Sequence, residues 1–356
     1  METSDIKYAC QISVGMPVWG VEKYIRRCLL SVLNQNYHDM EVLVVNDCTP
    51  DRSIDIVKEI VSNHPKGNLV RIIDQPQNKG CWAARNRILE EAKGKYILLI
   101  DSDDYFADGT ITKLYRRAQK TGAEATYGSV AVVDEDGKHI PDSGVDGINL
   151  PDINLKGPDQ LASFANSNTH RLDLHNFIWN VLLRSDFINK HQLRFRKTKF
   201  WDDVLFNADM QPLIESAAFI SDITYYYVIR PNSLSNFQAR DIINISEIRQ
   251  HICNQAYLKE QSISLKGKPY YETRVTKVVM AMFYTLTGVI RNKAKLSEPL
   301  PNRDIRDAIR HQLSFWDIIR FKQYKIINLM LWMVGILPPS LSVYMITIIG
   351  KAKKLI

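Results

Sequence analysis

Short apolar runs and helical periodicities alternate through the first 130 residues. Residues 11–19 (QISVGMPVW), 40–47 (MEVLVVND), 69–75 (LVRIIDQ) and 95–101 (KYILLID) are β-rich stretches of strand length. Between them, residues 22–35 (EKYIRRCLLSVLNQ) repeat apolar side chains at helical spacing, with Tyr24, Cys28, Leu29 and Val32 on one face. Residues 51–64 and 81–94 read as further helices, the first ending near a Pro-Lys-Gly turn, the second with Gly94 near its C-cap. A helix over 110–121 and a strand over 125–133 follow. This alternation predicts an α/β chain with a mainly parallel, doubly wound sheet covered on both faces. Ligands of such sheets sit beyond the C-terminal ends of the strands. Asp47 and Asp101 fall at two of those ends.

The pattern then changes. Residues 134–157, rich in Gly, Pro and Asp, read as a loop or hairpin. Residues 159–230 are mixed, with a helix over about 203–216 and a strand at 223–229 (ITYYYVI). Helical patterns dominate after 241, and residues 326–350 form a run of 25 without a charge. The expected organisation is a domain over 1–240, its nucleotide half ending near 133, followed by a helical region over 241–356. A length of 356 residues accommodates either one large domain or two ordinary ones.

Charge sharpens that division. The net charge of +7 splits into −3 over residues 1–240 and +10 over residues 241–356. A basic C-terminal third fits docking on an anionic surface, membrane or nucleic acid. The five cysteines, Cys10, Cys28, Cys48, Cys81 and Cys253, are widely spaced and contain no CxxC pair. Neither a disulfide framework nor a zinc site is suggested; small buried thiols in a reducing compartment are expected. The N-terminus (METSDIKYAC) is polar, without the features of a signal peptide, so a cytoplasmic location is expected.

The candidate chemistry lies at the strand ends. In YILLIDSDDYF (96–106) an apolar run breaks into Asp101, Asp103 and Asp104. Like charges this close need a positive partner. Two carboxylates two residues apart at a strand end can converge on a hard cation such as Mg²⁺ or Mn²⁺. An acidic turn or helix cap would use the same residues. In VVNDCTPD (44–51), Asp47 stands too early to cap the next helix and is read as a ligand of a base or ribose, whereas Asp51 is read as the cap. In NKGCWAARN (78–86), Gly80 permits a tight turn, and Arg85 and Asn86 lie where a helix start could face a pyrophosphate. A surface salt bridge is the plainer use of Arg85.

Together these segments resemble the family 2 glycosyltransferases with the GT-A fold, of the type that builds bacterial surface polysaccharides. The resemblance covers roughly residues 10–235 and rests on MPVWGVEKYIRRCLLSVLNQNYHDMEVLVVNDCTPDRS, NKGCWAARN, AKGKYILLIDSDD, IWNVLLRSDFI, LRFRKTKFWDDVLFN and YYYVIRPNSLS in that order. It implies a GT-A (Rossmann-like) doubly wound mixed sheet with a mainly helical C-terminal extension. It also implies that Pro17, Val18 and Glu22 line a nucleotide pocket with Asp47 on the base. Asp101, Ser102 and Asp103 would meet the diphosphate, Asp103 holding the metal directly and Asp101 assisting. Asp203 of the Asp202-Asp203 pair would be the catalytic base; the residues themselves also allow a helix cap, assigned to Asp202 or shared between the two. Arg230 and Ser233 would lie near the donor phosphates, Trp179 and Asn180 near the acceptor. Trp201, beside the base, could stack on a sugar ring or pack in the core.

The expected reaction is therefore metal-dependent, inverting transfer of a sugar from a nucleoside-diphosphate donor, UDP-linked by the family's habit, to a hydroxyl of a glycan or lipid-linked glycan. Mn²⁺ or Mg²⁺ is the expected cofactor. A nucleotidyltransferase would need a glycine-rich triphosphate loop that MPVWGVEKY does not supply. A catalytically inactive, membrane-docked scaffold would have lost the paired aspartates or Asp203, and all are present. Nucleic-acid binding would explain the basic tail but none of the carboxylates. Over residues 311–354, aromatic and basic residues flank the uncharged run, which Pro338-Pro339 divides into pieces of 12 and 11 residues, each short for a span. Basic residues on both flanks favour a monotopic anchor at the inner face of the cell membrane.

Overall fold

The four apolar runs at the start of the chain become four parallel neighbours. In the computed structural model, which describes residues 7–140, 148–167, 177–230 and 241–356, they form β1 (Cys10–Val18), β2 (Met40–Asn46), β3 (Val70–Asp74) and β4 (Gly94–Leu99). These lie in the order β3-β2-β1-β4. Their Val/Ile/Leu content suits strands buried on both faces, and β1 from Ile12 onward is wholly buried. Beyond β4 the sheet turns mixed. It continues through β8 (Val181–Arg184), β6 (Ala125–Val133), β9 (Ser216–Val228) and β5 (Tyr105–Phe106), while β7 (Asn154–Lys156) also pairs with β9. β8 is antiparallel to β4 and β6; β6 and β9 are parallel.

Helices α1 (Ile25–Leu33), α2 (Ser53–Asn63), α3 (Cys81–Glu91) and α4 (Thr110–Thr121) connect the early strands. α1 buries Ile25, Cys28, Leu29, Val32 and Leu33. Tyr24, expected on that face, lies just before the helix and points its hydroxyl at Glu135. Gly94 does not cap α3, whose C-cap is Ala92. It opens β4, where a Cβ would stand 2.5 Å from the Ser13 amide nitrogen, so close approach to β1 fixes the glycine. α5 (Gln160–Asn166), α6 (Ser185–Lys190) and α7 (Asp202–Met210) follow. α7 is shorter than the expected 203–216, because Pro212 lacks the N–H that would continue it. The expected strand at 223–229 is the end of the longer β9. All five cysteines are free, but only Cys28 is buried, and Cys48, Cys81 and Cys253 are exposed.

Two compact units divide the chain. The first takes most of the described residues up to Arg230 and contains the sheet. The second takes 162–167, 198–201 and 241–356. It packs α8 (Ile245–Ser264), α9 (Tyr271–Arg291), α10 (Asn302–Ile309), α11 (Phe315–Ile318), α12 (Lys325–Ile336) and α13 (Pro339–Ala352) around Ile248, Met282, Phe283, Leu286, Ile309 and Ile346. Trp201, expected in the acceptor half, belongs to this second unit, where its ring edge meets His251 at 4.7 Å. α12 and α13 break at Pro338-Pro339, and among the described residues no helix is long and apolar enough to cross a membrane.

Candidate active site

The acidic turn after β4 is built by its own backbone and by β9. The Asp104 amide donates to the Asp101 carbonyl at 3.0 Å, closing the turn. Asp104 is buried and accepts from the Tyr225 hydroxyl and the Val228 amide, each at 2.7 Å. The same hydroxyl accepts the Asp101 amide at 3.2 Å. Asp104 thus straps the turn to the tyrosine-rich strand and leaves Asp101 and Asp103 at its open side. Sequence alone could have raised this role, because a third acid beside two ligand acids needs an explanation of its own.

The positive charge among these carboxylates comes from two arginines. Arg85, on α3, is 4% exposed. Its Nη2 donates to Asp101 Oδ1 at 2.7 Å and its Nη1 to Asp202 Oδ2 at 2.8 Å. Arg85 was expected to face a pyrophosphate or the solvent; instead its guanidinium is a buried fork joining the acidic turn to the start of α7. Asp202 consequently meets Arg85 rather than capping α7, and it is Asp203 Oδ1 that accepts a local amide, that of Val204, at 2.8 Å. Arg230, just past β9, pairs with Asp103 at 2.6 Å and lies over the Tyr24 ring at 5.6 Å.

The balance of charge remains negative. Five carboxyls, Asp101, Asp103, Asp104, Asp202 and Asp203, share two guanidiniums. Burial, then the charge of Asp202, pushes the Asp203 carboxyl up to about 7, against the opposing pull of Arg85. Burial raises Asp104 well above the usual carboxylate range. Burial also raises Asp103; Arg230 opposes this and Asp101 adds to it. Three of the five thus resist ionisation, the electrostatic condition that a bound cation relieves. Among the described residues no three His, Cys, Asp or Glu side chains gather as a closed metal cage. An open pair of carboxylates suits Mg²⁺ or Mn²⁺, which take their remaining ligands from phosphates and water. Asp101 and Asp103 fit that demand.

The other expected positions divide. Pro17 and Val18 end the buried strand β1, beside the Asp47 amide, which donates to the Val18 carbonyl at 3.0 Å. Asp47 spends both oxygens within the protein: Oδ1 accepts from Gln75 Nε2 at 2.7 Å and the Lys79 amide at 2.8 Å, Oδ2 from the Gly80 amide at 2.8 Å. Its role in this structure is to shape the 75–80 loop leading into α3, where Gly80 adopts φ +94°. Glu22 accepts the Arg52 amide at 3.0 Å, while its own amide donates to Asp51. Asp51 also accepts the Ser53 amide at 3.1 Å beside the start of α2, although the N-cap position itself is Arg52 rather than the expected Asp51. Ser102 is buried in the acidic turn. Asn180 corrects the acceptor-side expectation. It is wholly buried, donating to the Gly128 carbonyl at 2.8 Å and accepting from the Thr224 hydroxyl at 2.7 Å. Trp179 stacks between Phe177 and Tyr225 at 4.6 and 4.3 Å, with 8% of its surface exposed. Ser233 lies outside the described residues.

The chain is similar to known proteins in sequence and in fold. Residues 13–171 match the model of glycosyl transferase family 2. An uncharacterized glycosyltransferase of Haemophilus influenzae is 36% identical over 129 residues, which is 36% of this chain and 50% of that protein. The chain thus spans half the length of that relative. Among solved structures, TarS 1–349 of S. aureus, in complex with UDP-GlcNAc, superposes with a TM-score of 0.56 at 18% identity, over 91% of this chain and 90% of that one. The mannosyltransferase PcManGT of Pyrobaculum calidifontis, in complex with GDP-Man and Mn²⁺, superposes with a TM-score of 0.54 at 14% identity, over 98% and 89%. At such identities the two structures speak to the fold alone.

Proposed function

We propose that this chain is a family 2 glycosyltransferase and that it performs inverting transfer of a sugar from a nucleoside diphosphate, UDP-linked, to a hydroxyl of a glycan or lipid-linked glycan. The observation that carries this reading is the set of five carboxyls around Arg85 and Arg230, with Asp203 raised to about 7. A general base works best with a pKa near the operating pH, and Asp203 has one. The bond from the anomeric carbon to the diphosphate breaks as the bond to the acceptor oxygen forms. The acceptor proton passes to the Asp203 carboxylate, on the face opposite the leaving group. Arg85 pairs with Asp202 and Asp101 beside Asp203, and burial together with the charge of Asp202 strengthens the basicity of Asp203. Arg230, half-buried at the end of β9, is placed to offer its charge to a donor phosphate. A divalent cation held by Asp103 and Asp101 would neutralise the charge developing on the diphosphate. The donor class and the metal are also those held by two proteins of like fold, TarS with UDP-GlcNAc and PcManGT with GDP-Man and Mn²⁺.

Membrane association through the second unit is part of the same reading. α11 to α13 expose Trp316, Ile326, Met333, Leu341, Tyr344 and Ile348. Arg320, Lys322, Lys325, Lys351, Lys353 and Lys354 flank them. Apolar side chains ringed by cations suit the interface of an anionic bilayer. The test of the reaction is nucleoside diphosphate release from UDP-GlcNAc, UDP-GalNAc, UDP-glucose and GDP-mannose, with Mn²⁺, Mg²⁺ or EDTA. Turnover of one donor that EDTA abolishes is the expected result. A folded protein that binds none of the donors overturns the reading.

A further inference from the structure

The second unit contains a cavity of about 880 Å³, near the upper end of the range for small-molecule sites. One face of α8 supplies Arg249, Ile252, Cys253, Ala256 and Lys259. Met282 of α9, Leu300, Leu313, and Trp332 and Ile336 of α12 make the opposite walls apolar. Arg310 and Gln312, after α10, complete the mouth.

The charges in this cavity are arranged for an anion. Lys259 is buried, and its ammonium donates to the carbonyls of Ala308 and Arg310. It forms no ion pair among the described residues, so its charge is uncompensated. Arg249 and Arg310 stand exposed at the mouth. Of the two acids on the wall, Asp307 is already bonded to Arg306 at 2.7 Å. His311 adds no charge: burial pushes it down to about 4, its Nδ1 accepts the Leu313 amide, and its Nε2 meets Asn328. Trp332, on the cavity wall, packs against the exposed Phe315 at 5.5 Å, and Ile336, also on the wall, is exposed.

We propose that this cavity binds one molecule of a long-chain lipid phosphate, its phosphate against Lys259, Arg249 and Arg310 and its hydrocarbon chain along Met282, Leu300, Trp332 and Ile336. Burial alone holds the Lys259 ammonium down to about 8, and a bound phosphate would oppose that shift. The site goes beyond sugar transfer and does not depend on it. The ligand chemistry could come from a carrier lipid or from a bilayer phospholipid.

Cys253 at the mouth is exposed and serves as the reporter; Cys48, exposed in the other unit, is the internal control. Maleimide labelling of each is followed by peptide mass spectrometry in the full chain, with farnesyl phosphate, farnesol, inorganic phosphate or phosphatidylglycerol vesicles. A lipid phosphate at about ten times its Kd should slow labelling of Cys253 by about tenfold and leave Cys48 unchanged. Protection by farnesyl phosphate assigns a carrier-type lipid; protection by the vesicles alone assigns a bilayer phospholipid. The double variant Arg249→Glu, Arg310→Glu, altered only at exposed positions, should lose the protection. Equal protection by farnesol, protection unchanged in the double variant, or none from either lipid phosphate overturns the proposal.

Discussion

The two units treat buried charge in opposite ways. In the first, five carboxyls crowd two guanidiniums, and burial, with neighbouring negative charge adding to it, raises the Asp103, Asp104 and Asp203 carboxyls. In the second, a buried lysine rests on backbone carbonyls in a largely apolar cavity. Desolvation acts on both, but a surplus of acids calls for a cation and a proton, whereas a lone ammonium calls for an anion. On that contrast rest the two proposals: a metal-bound diphosphate for the first unit and a lipid phosphate for the second.

Removing Arg85 should break the first half of this comparison most severely. Arg85→Met leaves the buried Asp202 and the partly buried Asp101 without their cation, and such losses at buried pairs cost about 3–5 kcal/mol. Denaturant unfolding would measure it. A loss below about 1 kcal/mol, the worth of an exposed pair, would mean that the fork is ornamental. Next in size is the metal. Asp103→Asn should weaken Mn²⁺ binding in the presence of UDP by roughly 10–100-fold, at least the penalty of disturbing a metal's outer shell. Electron paramagnetic resonance of Mn²⁺ reads this directly, and unchanged affinity would move the metal elsewhere.

The titration of Asp203 sharpens the comparison further. The base must be ionised, so the transfer rate should rise with pH through about 7, falling about tenfold for each unit below it. A rate independent of pH from 5 to 9 would contradict the assignment. Stability should move the other way. The folded carboxyl holds its proton up to about 7, against 3.8 as the ordinary value, so stability from this group is present below 3.8 and is lost as pH rises to about 7. Asp203→Asn should therefore melt higher than the wild type at pH 8 and no higher at pH 3.5, gaining about 2–4 °C for each kcal/mol recovered. The smallest effect belongs to the surface. Replacing Trp316 and Ile326 by Ser should weaken sedimentation with phosphatidylglycerol vesicles several-fold, each buried apolar side chain contributing about 1.5–3 kcal/mol at most. Binding that survives both changes would locate the membrane contact elsewhere.

The two regions also differ in how far the sequence discloses them. The acidic turn stood out in the sequence because Asp101, Asp103 and Asp104 follow directly on an apolar run, whereas Asp202 and Asp203 open a helix and were singled out by resemblance. The strands and helices of the first 133 residues appear close to the expected bounds, since each is a single apolar period with clear breaks. What escaped was partnership. Arg85 stands sixteen residues before Asp101 and 117 before Asp202, and nothing local marks it as their shared cation. Asn180 looked like an acceptor contact until its burial and its bonds to Gly128 and Thr224 became visible. The cavity left still less trace, because its walls come from α8, α9, α12 and the turn after α10, and each contributing stretch reads as an ordinary amphipathic helix.

The central claim is that Asp203 accepts the proton of the attacking hydroxyl. The most direct measurement compares Asp203→Asn with the wild type in two assays on the same samples: donor affinity with Mn²⁺, and transfer to the acceptor at saturating donor. The account predicts donor affinity within about twofold and a transfer rate lower by roughly 10²–10⁴-fold, the usual worth of a general base. A transfer rate within a few-fold of the wild type, with donor binding intact, would contradict it.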